Sequence, residues 1–153
     1  KQWDIVIADS MIQHDMDASP LFNKFFIPAL GQKMLYPNKE LLEKLNECLN
    51  TEYKKGRLKR FGSIHKGLIG TGDKFVNELA LFKKLEEEIP QLLAVEMEGA
   101  AFAQVAIQEK VDWLVLRVIS DSADDSAHQD FKSFLEEYNK FSWNLISCFL
   151  SYL

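Results

Sequence analysis

The first hydrophobic segment, residues 3–8 (WDIVIA), is short and rich in β-branched side chains, and it stops at Asp9-Ser10. That pattern predicts a buried strand opening into a functional loop. No period is sustained over residues 11–36, where Pro20, Pro28 and Gly31 punctuate a stretch longer than an ordinary connection, so it reads as a functional or interface excursion. Periodicity returns after Asn38. Leu41, Leu42, Leu45, Cys48, Leu49 and Tyr53 share one face of a helix that Asn38 caps and Gly56 ends in a left-handed turn. Residues 57–70 read as one or two strands interrupted by Gly62 and Gly67, and residues 77–88 as a second helix stopped by Ile89-Pro90.

Residues 92–95 predict another strand and residues 97–110 a third helix, whose Gly99, Ala100, Ala101, Ala103 and Ala106 are small enough to lie close against a sheet. Residues 113–120 (WLVLRVIS) are apolar without alternation, as in a strand buried on both faces. A polar loop over 121–129 leads into a last helix from Asp130, with Phe131, Phe134, Leu135, Tyr138, Leu145 and Phe149 toward the core. Strands alternating with helices define an α/β chain, read as a single domain over residues 1–153 without internal repeats.

Composition narrows the class of function. Hydrophobic residues make up 47% of the 153 and charged residues 27%, an ordinary globular balance. A net charge of −5 argues against a general nucleic-acid surface. The basic cluster Lys54, Lys55, Arg57, Lys59 and Arg60 falls where a helix ends and reads as solvated. No apolar run has membrane-spanning length and no signal peptide opens the sequence. Cys48 and Cys148 each sit among apolar residues at helical spacing, as reduced core residues of a cytoplasmic protein.

Two predicted strands end in acids. Residues 92–95 run into Glu96-Met97-Glu98, and residues 113–120 into Asp121. Ligands of open α/β sheets bind beyond the carboxyl ends of strands, so acids on successive strand ends suit a shared pocket for acid chemistry. The plainer alternative is that Glu96 and Glu98 open the next helix and stabilise its dipole. Gly70-Thr71-Gly72-Asp73 allows close backbone approach to a ligand, and Phe75 has the shape to stack on a flat ring. It is not a phosphate-cradling P-loop, which ends in Gly-Lys-Ser/Thr. His14, His65 and His128 match no zinc spacing, and no nucleophile elbow marks a serine triad.

Together these segments resemble the 5′-methylthioadenosine/S-adenosylhomocysteine nucleosidase family of the nucleoside phosphorylase and hydrolase superfamily. The matching pieces are DIVIAD at 4–9, HDMD at 14–17, GLIGTGDKFV at 67–76, AVEMEGAA at 94–101 and LRVISDSAD at 116–124. The resemblance implies a three-layer sandwich: a mixed, twisted sheet flanked by helices, with its N-terminal part missing here. It implies hydrolysis of an N-glycosidic bond with Asp121 as the general acid to N7 of adenine. Glu98 would hold the ribose hydroxyls with Met97 beneath the sugar. Phe75 would stack on the base, Val76 would read its edge through the backbone, and Phe131 would line the pocket of the 5′-alkylthio group. Asp73 and Glu96 would hold the geometry of the site. No cofactor and no metal is implied.

Breaking such a bond leaves positive charge on the sugar and negative charge on the purine, which a carboxylate and a protonated acid respectively stabilise. Family members begin with a strand, a water-activating glutamate and glycine-rich loops, and this sequence begins after them. The missing N-terminal segment is therefore expected as a partner, in cis or as a separate chain. Without it, residues 3–8 and 113–120 are expected to lack sheet neighbours. The resemblance also implies a homodimer, with residues 13–31, including Phe22, Phe25, Phe26 and Ile27, as its interface. A phosphorylase, or a non-catalytic purine-binding or assembly remnant, stands as the alternative.

Overall fold

The computed structural model describes residues 1–76, 78–121 and 127–152, with backbone alone for 127–132. Its spine is β1 (Ile5–Gln13), whose Ile5, Ile7, Ala8, Met11 and Ile12 have no exposed surface. Parallel β3 (Ile64–Thr71) pairs with β1 from Ile5↔Ile64 to Gln13↔Thr71, and β4 (Leu92–Glu96) lies parallel beyond β3. The other edge of β1 takes two short antiparallel strands, β2 (Met34–Leu35) at Met11–Ile12 and β5 (Leu116–Val118) at Ile5–Ile7.

This pairing corrects three expectations. Residues 3–8 do not lack neighbours, because β3 and β5 flank them. The loop expected at Asp9-Ser10 is a β-bulge: the register slips between Ala8 and Ser10, and the Ser10 hydroxyl donates to Asp9 at 2.8 Å. Finally, β5 is three residues long and half-buried, not a long strand buried on both faces. Among the described residues it pairs with β1 alone.

Helices cover both faces, because successive residues of β1 point to opposite sides. Val6, Ala8 and Met11 pack with Ala100, Ala103 and Ala106 of α3 (Gly99–Gln108), close enough to need alanines. Ala101, by contrast, faces outward. Ile5 and Ile7 pack with Leu42, Leu45 and Leu49 of α1 (Lys39–Lys54) and with Phe134 and Leu145 of α4 (Ala127–Leu150). The result is the expected three-layer sandwich, and each fully buried Ile or Leu contributes roughly 1.5–3 kcal/mol. A third cluster joins Ile12, Leu68 and Val76 to Leu85 of α2 (Leu79–Glu88).

Local signals set the ends of α1. The Asn38 side chain accepts the Leu41 N–H at 3.1 Å, and Gly56 leaves the helix at φ +76°. Tyr53 and Leu135, both expected in the core, are 43% and 41% exposed. Phe131 has its side chain outside the described part of the structure.

The basic cluster is not merely solvated. Lys55 and Arg57 hold the buried carboxylate of Glu52 at 2.9 and 2.7 Å, and the Arg60 guanidinium lies 3.7 Å from the centre of the Trp3 ring. Cys48 and Cys148 are free thiols, and burial pushes Cys48 up to about 11. The irregular stretch after β1 divides in two. Phe25 and Ile27 fold back into the core, whereas Phe22 stacks on Phe26 at 5.4 Å beside Leu21, which is 83% exposed. None of the described helices is long and apolar enough to cross a membrane.

Candidate functional site

The carboxyl end of β4 organises the site. Glu96 points across to β3, where the Thr71 hydroxyl donates to it, and it accepts the Glu98 N–H at 3.1 Å and the Gly99 N–H at 2.9 and 2.8 Å. Its side chain thus closes the N-terminus of α3, whose first amides have no partners inside the helix. Thr71 extends the same join by accepting the Ala100 N–H at 2.7 Å. Gly99 leaves room at this join: a Cβ would lie 2.4 Å from Met11 Cε and 3.0 Å from Glu96 Oε1, so those side chains would have to shift.

Arg117 of β5 completes the cluster. Its guanidinium donates to Glu96 and, at 2.9 Å, to Glu98. Burial works to raise the pKa of Glu96, but the Thr71 hydrogen bond and the Arg117 charge outweigh it and hold the carboxyl below its ordinary value. Glu98 stands at the N-cap position of α3 without capping it, leaving a largely exposed carboxylate. Of the two roles the sequence leaves open for this acidic pair, helix opening falls to Glu96, while Glu98 faces outward.

Although β1 and β3 stand between β4 and β5, both strand ends open on one cavity of about 720 Å³. Six of the eight predicted site residues line it: Phe75, Val76, Glu96, Met97, Glu98 and Asp121. The volume falls in the range of small-molecule sites. Phe75 and Met97 line it with 45% and 40% of their surface open, whereas Val76 is buried. Asp121 is half-buried and accepts the Ser120 hydroxyl at 2.7 Å. Of the other two, Asp73 is not among the residues lining the cavity, and Phe131 has its side chain outside the described part of the structure.

Two features escaped the sequence reading. Arg117 is one; a lone arginine inside an otherwise apolar run must find carboxylates, and that is the signal that marks it. The other is the reason for the glycines at 70 and 72. A Cβ on Gly72 would lie 2.3 Å from His14 Cε1, and one on Gly70 2.9 Å from Leu92 Cδ1 and 3.3 Å from His14 Cδ2. The His14 ring thus crowds Gly72, and Leu92 and His14 together crowd Gly70. Burial lowers the His14 pKa, and its Nε2 has no hydrogen-bond partner among the described residues.

A mixed sheet between two helical layers, with acids and an aromatic residue converging past its strand ends, defines the nucleoside-phosphorylase type of α/β fold. Residues 1–151 match the Phosphorylase superfamily, and the chain belongs to that family. A 5′-methylthioadenosine/S-adenosylhomocysteine nucleosidase of Geobacillus sp. (strain WCH70) is 32% identical over 150 residues, 98% of this chain and 62% of that protein. One of Staphylococcus aureus (strain MRSA252) is 29% identical over 134 residues, covering 88% and 55%. The nucleosidase of Neisseria meningitidis, solved with methylthio-immucillin-A, superimposes with a TM-score of 0.87 at 27% identity over all of this chain and 63% of that one. A futalosine hydrolase of Helicobacter pylori strain 26695 gives 0.84 at 30% identity over 100% and 62%. The chain spans about three fifths of the length of the curated relatives it matches.

Proposed function

We propose that this chain carries the base- and ribose-binding part of an N-ribosyl hydrolase that releases adenine from 5′-methylthioadenosine or S-adenosylhomocysteine type nucleosides. The observation that carries the reading is the convergence of Phe75, Val76, Met97, Glu98 and Asp121 on one cavity. Phe75 stacks on the purine, and the Val76 backbone reads its edge. Asp121 gives a proton to N7 as the bond to the sugar breaks, so that the base leaves neutral. Glu98 holds the ribose hydroxyls and its carboxylate faces the positive charge developing on the sugar, with Met97 beneath the ring. The family resemblance gives Phe131 the 5′ pocket. Glu96 holds the geometry, its oxygens taken up by protein donors.

The relatives named above are nucleosidases and a hydrolase, which supports water over phosphate as the attacking group. Arg117 is matched against two carboxylates, Glu96 and Glu98. In this reading, activation of water falls to the part of the family fold outside this sequence, supplied in the same polypeptide or as a separate chain. The outer edge of β5, unpaired among the described residues, with Phe102 and Val105 of α3 at 55% and 58% exposure, is the surface it covers. Leu21, Phe22 and Phe26 form the contact of a homodimer, and the two free thiols suit a cytoplasmic setting.

The test is adenine release from 5′-methylthioadenosine, with futalosine in parallel, by purified residues 1–153 alone and after addition of the unmatched part of the Geobacillus relative. Activity is expected from the mixture and not from 1–153 alone. Full activity from 1–153 as a monomer would overturn the complementation and the dimer contact. No release from a stably assembled mixture would overturn the nucleosidase reading.

A further inference from the structure

The HDMD segment at 14–17 has no part in the chemistry above, yet its second residue reaches the purine-stacking loop. Asp15 follows the end of β1 directly. One carboxylate oxygen accepts the backbone N–H of Asp73, 58 residues away, at 2.7 Å, and the other accepts Gln13 Nε2 at 2.7 Å. Gln13 in turn accepts from Gln104 Nε2 of α3 at 3.4 Å. A polar line therefore runs from α3 through the end of β1 to Asp73, two residues before Phe75.

Gly72, the residue before Asp73, is held as well. The Gly72 N–H donates to the Glu96 carbonyl at 3.1 Å, and the His14 ring fills the space a side chain at 72 would need. Burial works to raise the pKa of Asp15, but the Asp73 and Gln13 hydrogen bonds outweigh it, so an ionised acceptor faces Asp73 at neutral pH. Asp15 itself is exposed and adds nothing to the apolar core. Its contribution is confined to fixing one backbone amide of the loop.

We propose that Asp15 is a positioning residue for the 72–76 loop, holding Phe75 and Val76 where they receive the purine. This rests on the purine-pocket reading above. Stacking on a ligand depends on where the ring is held, and a restraint at the Asp73 amide acts two residues of chain from Phe75.

The experiment compares wild type, Asp15→Ala and Asp15→Asn in the full chain by hydrogen exchange of the Asp73 amide, adenine titration calorimetry and the urea midpoint. Asp15→Ala is expected to speed Asp73 exchange and weaken adenine binding by about tenfold each, with the urea midpoint nearly unchanged. Asp15→Asn keeps an acceptor oxygen and recovers most of both. Unchanged Asp73 exchange in a protein that binds adenine would overturn the role of Asp15 alone. So would faster exchange with wild-type adenine affinity, or equal losses in both variants with a fallen urea midpoint. No adenine binding by wild type would overturn the purine-pocket reading and the coupling with it.

Discussion

Glu96→Ala removes the carboxylate that joins β3, β4, β5 and the start of α3. Three things are lost at once: the acceptor for the Glu98 and Gly99 amides, the partner of the Thr71 hydroxyl, and one of the two carboxylates on Arg117. Loss of a helix N-terminal acceptor costs about 1 kcal/mol. A hydrogen bond to a charged group is worth about 1.5–3 kcal/mol, at the low end here because Arg117 is partly exposed and keeps Glu98. Thr71 keeps the bond it accepts from Ala100, but its buried hydroxyl proton loses the Glu96 acceptor, which costs about 1 kcal/mol. The sum is about 3.5 kcal/mol, which for a chain of this length lowers Tm by about 7–14 °C. Thermal melts and urea titrations followed by circular dichroism measure it. Glu96→Gln, which keeps one acceptor oxygen but turns an NH₂ toward another donor, should lose about half as much. The pair Glu96→Ala and Arg117→Met should cost less together than the sum of the two alone, because the second change removes the charge the first leaves underpaired. A loss below about 1 kcal/mol for Glu96→Ala, or strict additivity with Arg117→Met, would refute this account of the cluster.

In an active assembly, Asp121→Asn is expected to slow adenine release by about 10²–10⁴-fold while adenine still binds; near-normal turnover would remove Asp121 from the mechanism. Glu98→Gln should lower kcat more than it raises KM, because the carboxylate acts most strongly on the charged sugar; a change in KM alone would make it a simple ribose clamp. Burial holds the folded pKa of His14 below its ordinary 6.5, so the unfolded chain binds the proton more readily. Stability should therefore fall as pH drops below about 6.5 and be flat above it, and His14→Gln should flatten the stretch between pH 5.5 and 6.5 in urea titrations. An unchanged slope in that variant would show that His14 is not the titrating group.

What the sequence shows depends on how local each determinant is. The cap at Asn38 and the turn at Gly56 are legible because a few neighbouring residues decide them. The two faces of β1 are legible as a dense apolar run. The bulge at Asp9-Ser10 is not, because a register slip is a property of the pairing between β1 and β3. The half-buried state of β5 escapes for the same reason: its hydrophobicity is fixed by sequence, its burial by which strands lie beside it. At the site, residue types point to acid chemistry, but the division of labour between Glu96 and Glu98 needs the position of Arg117. At the glycines of 70 and 72 the structure shows crowding by groups distant in sequence, Leu92 nearest to Gly70 and His14 nearest to Gly72, which local residue types do not name. Phe25 and Ile27 look like interface residues along the chain, yet the turns around them fold both inward.

The central claim is that the cavity bounded by Phe75, Val76, Met97, Glu98 and Asp121 receives a purine nucleoside. Its most direct measurement is a titration of 5′-methylthioadenosine into residues 1–153, followed by chemical-shift changes of the backbone amides. The expected result is saturable one-site binding with the largest shifts at residues 75, 76, 97, 98 and 121, weakened by Phe75→Ala. Saturable binding elsewhere, or binding indifferent to Phe75→Ala, would contradict the claim.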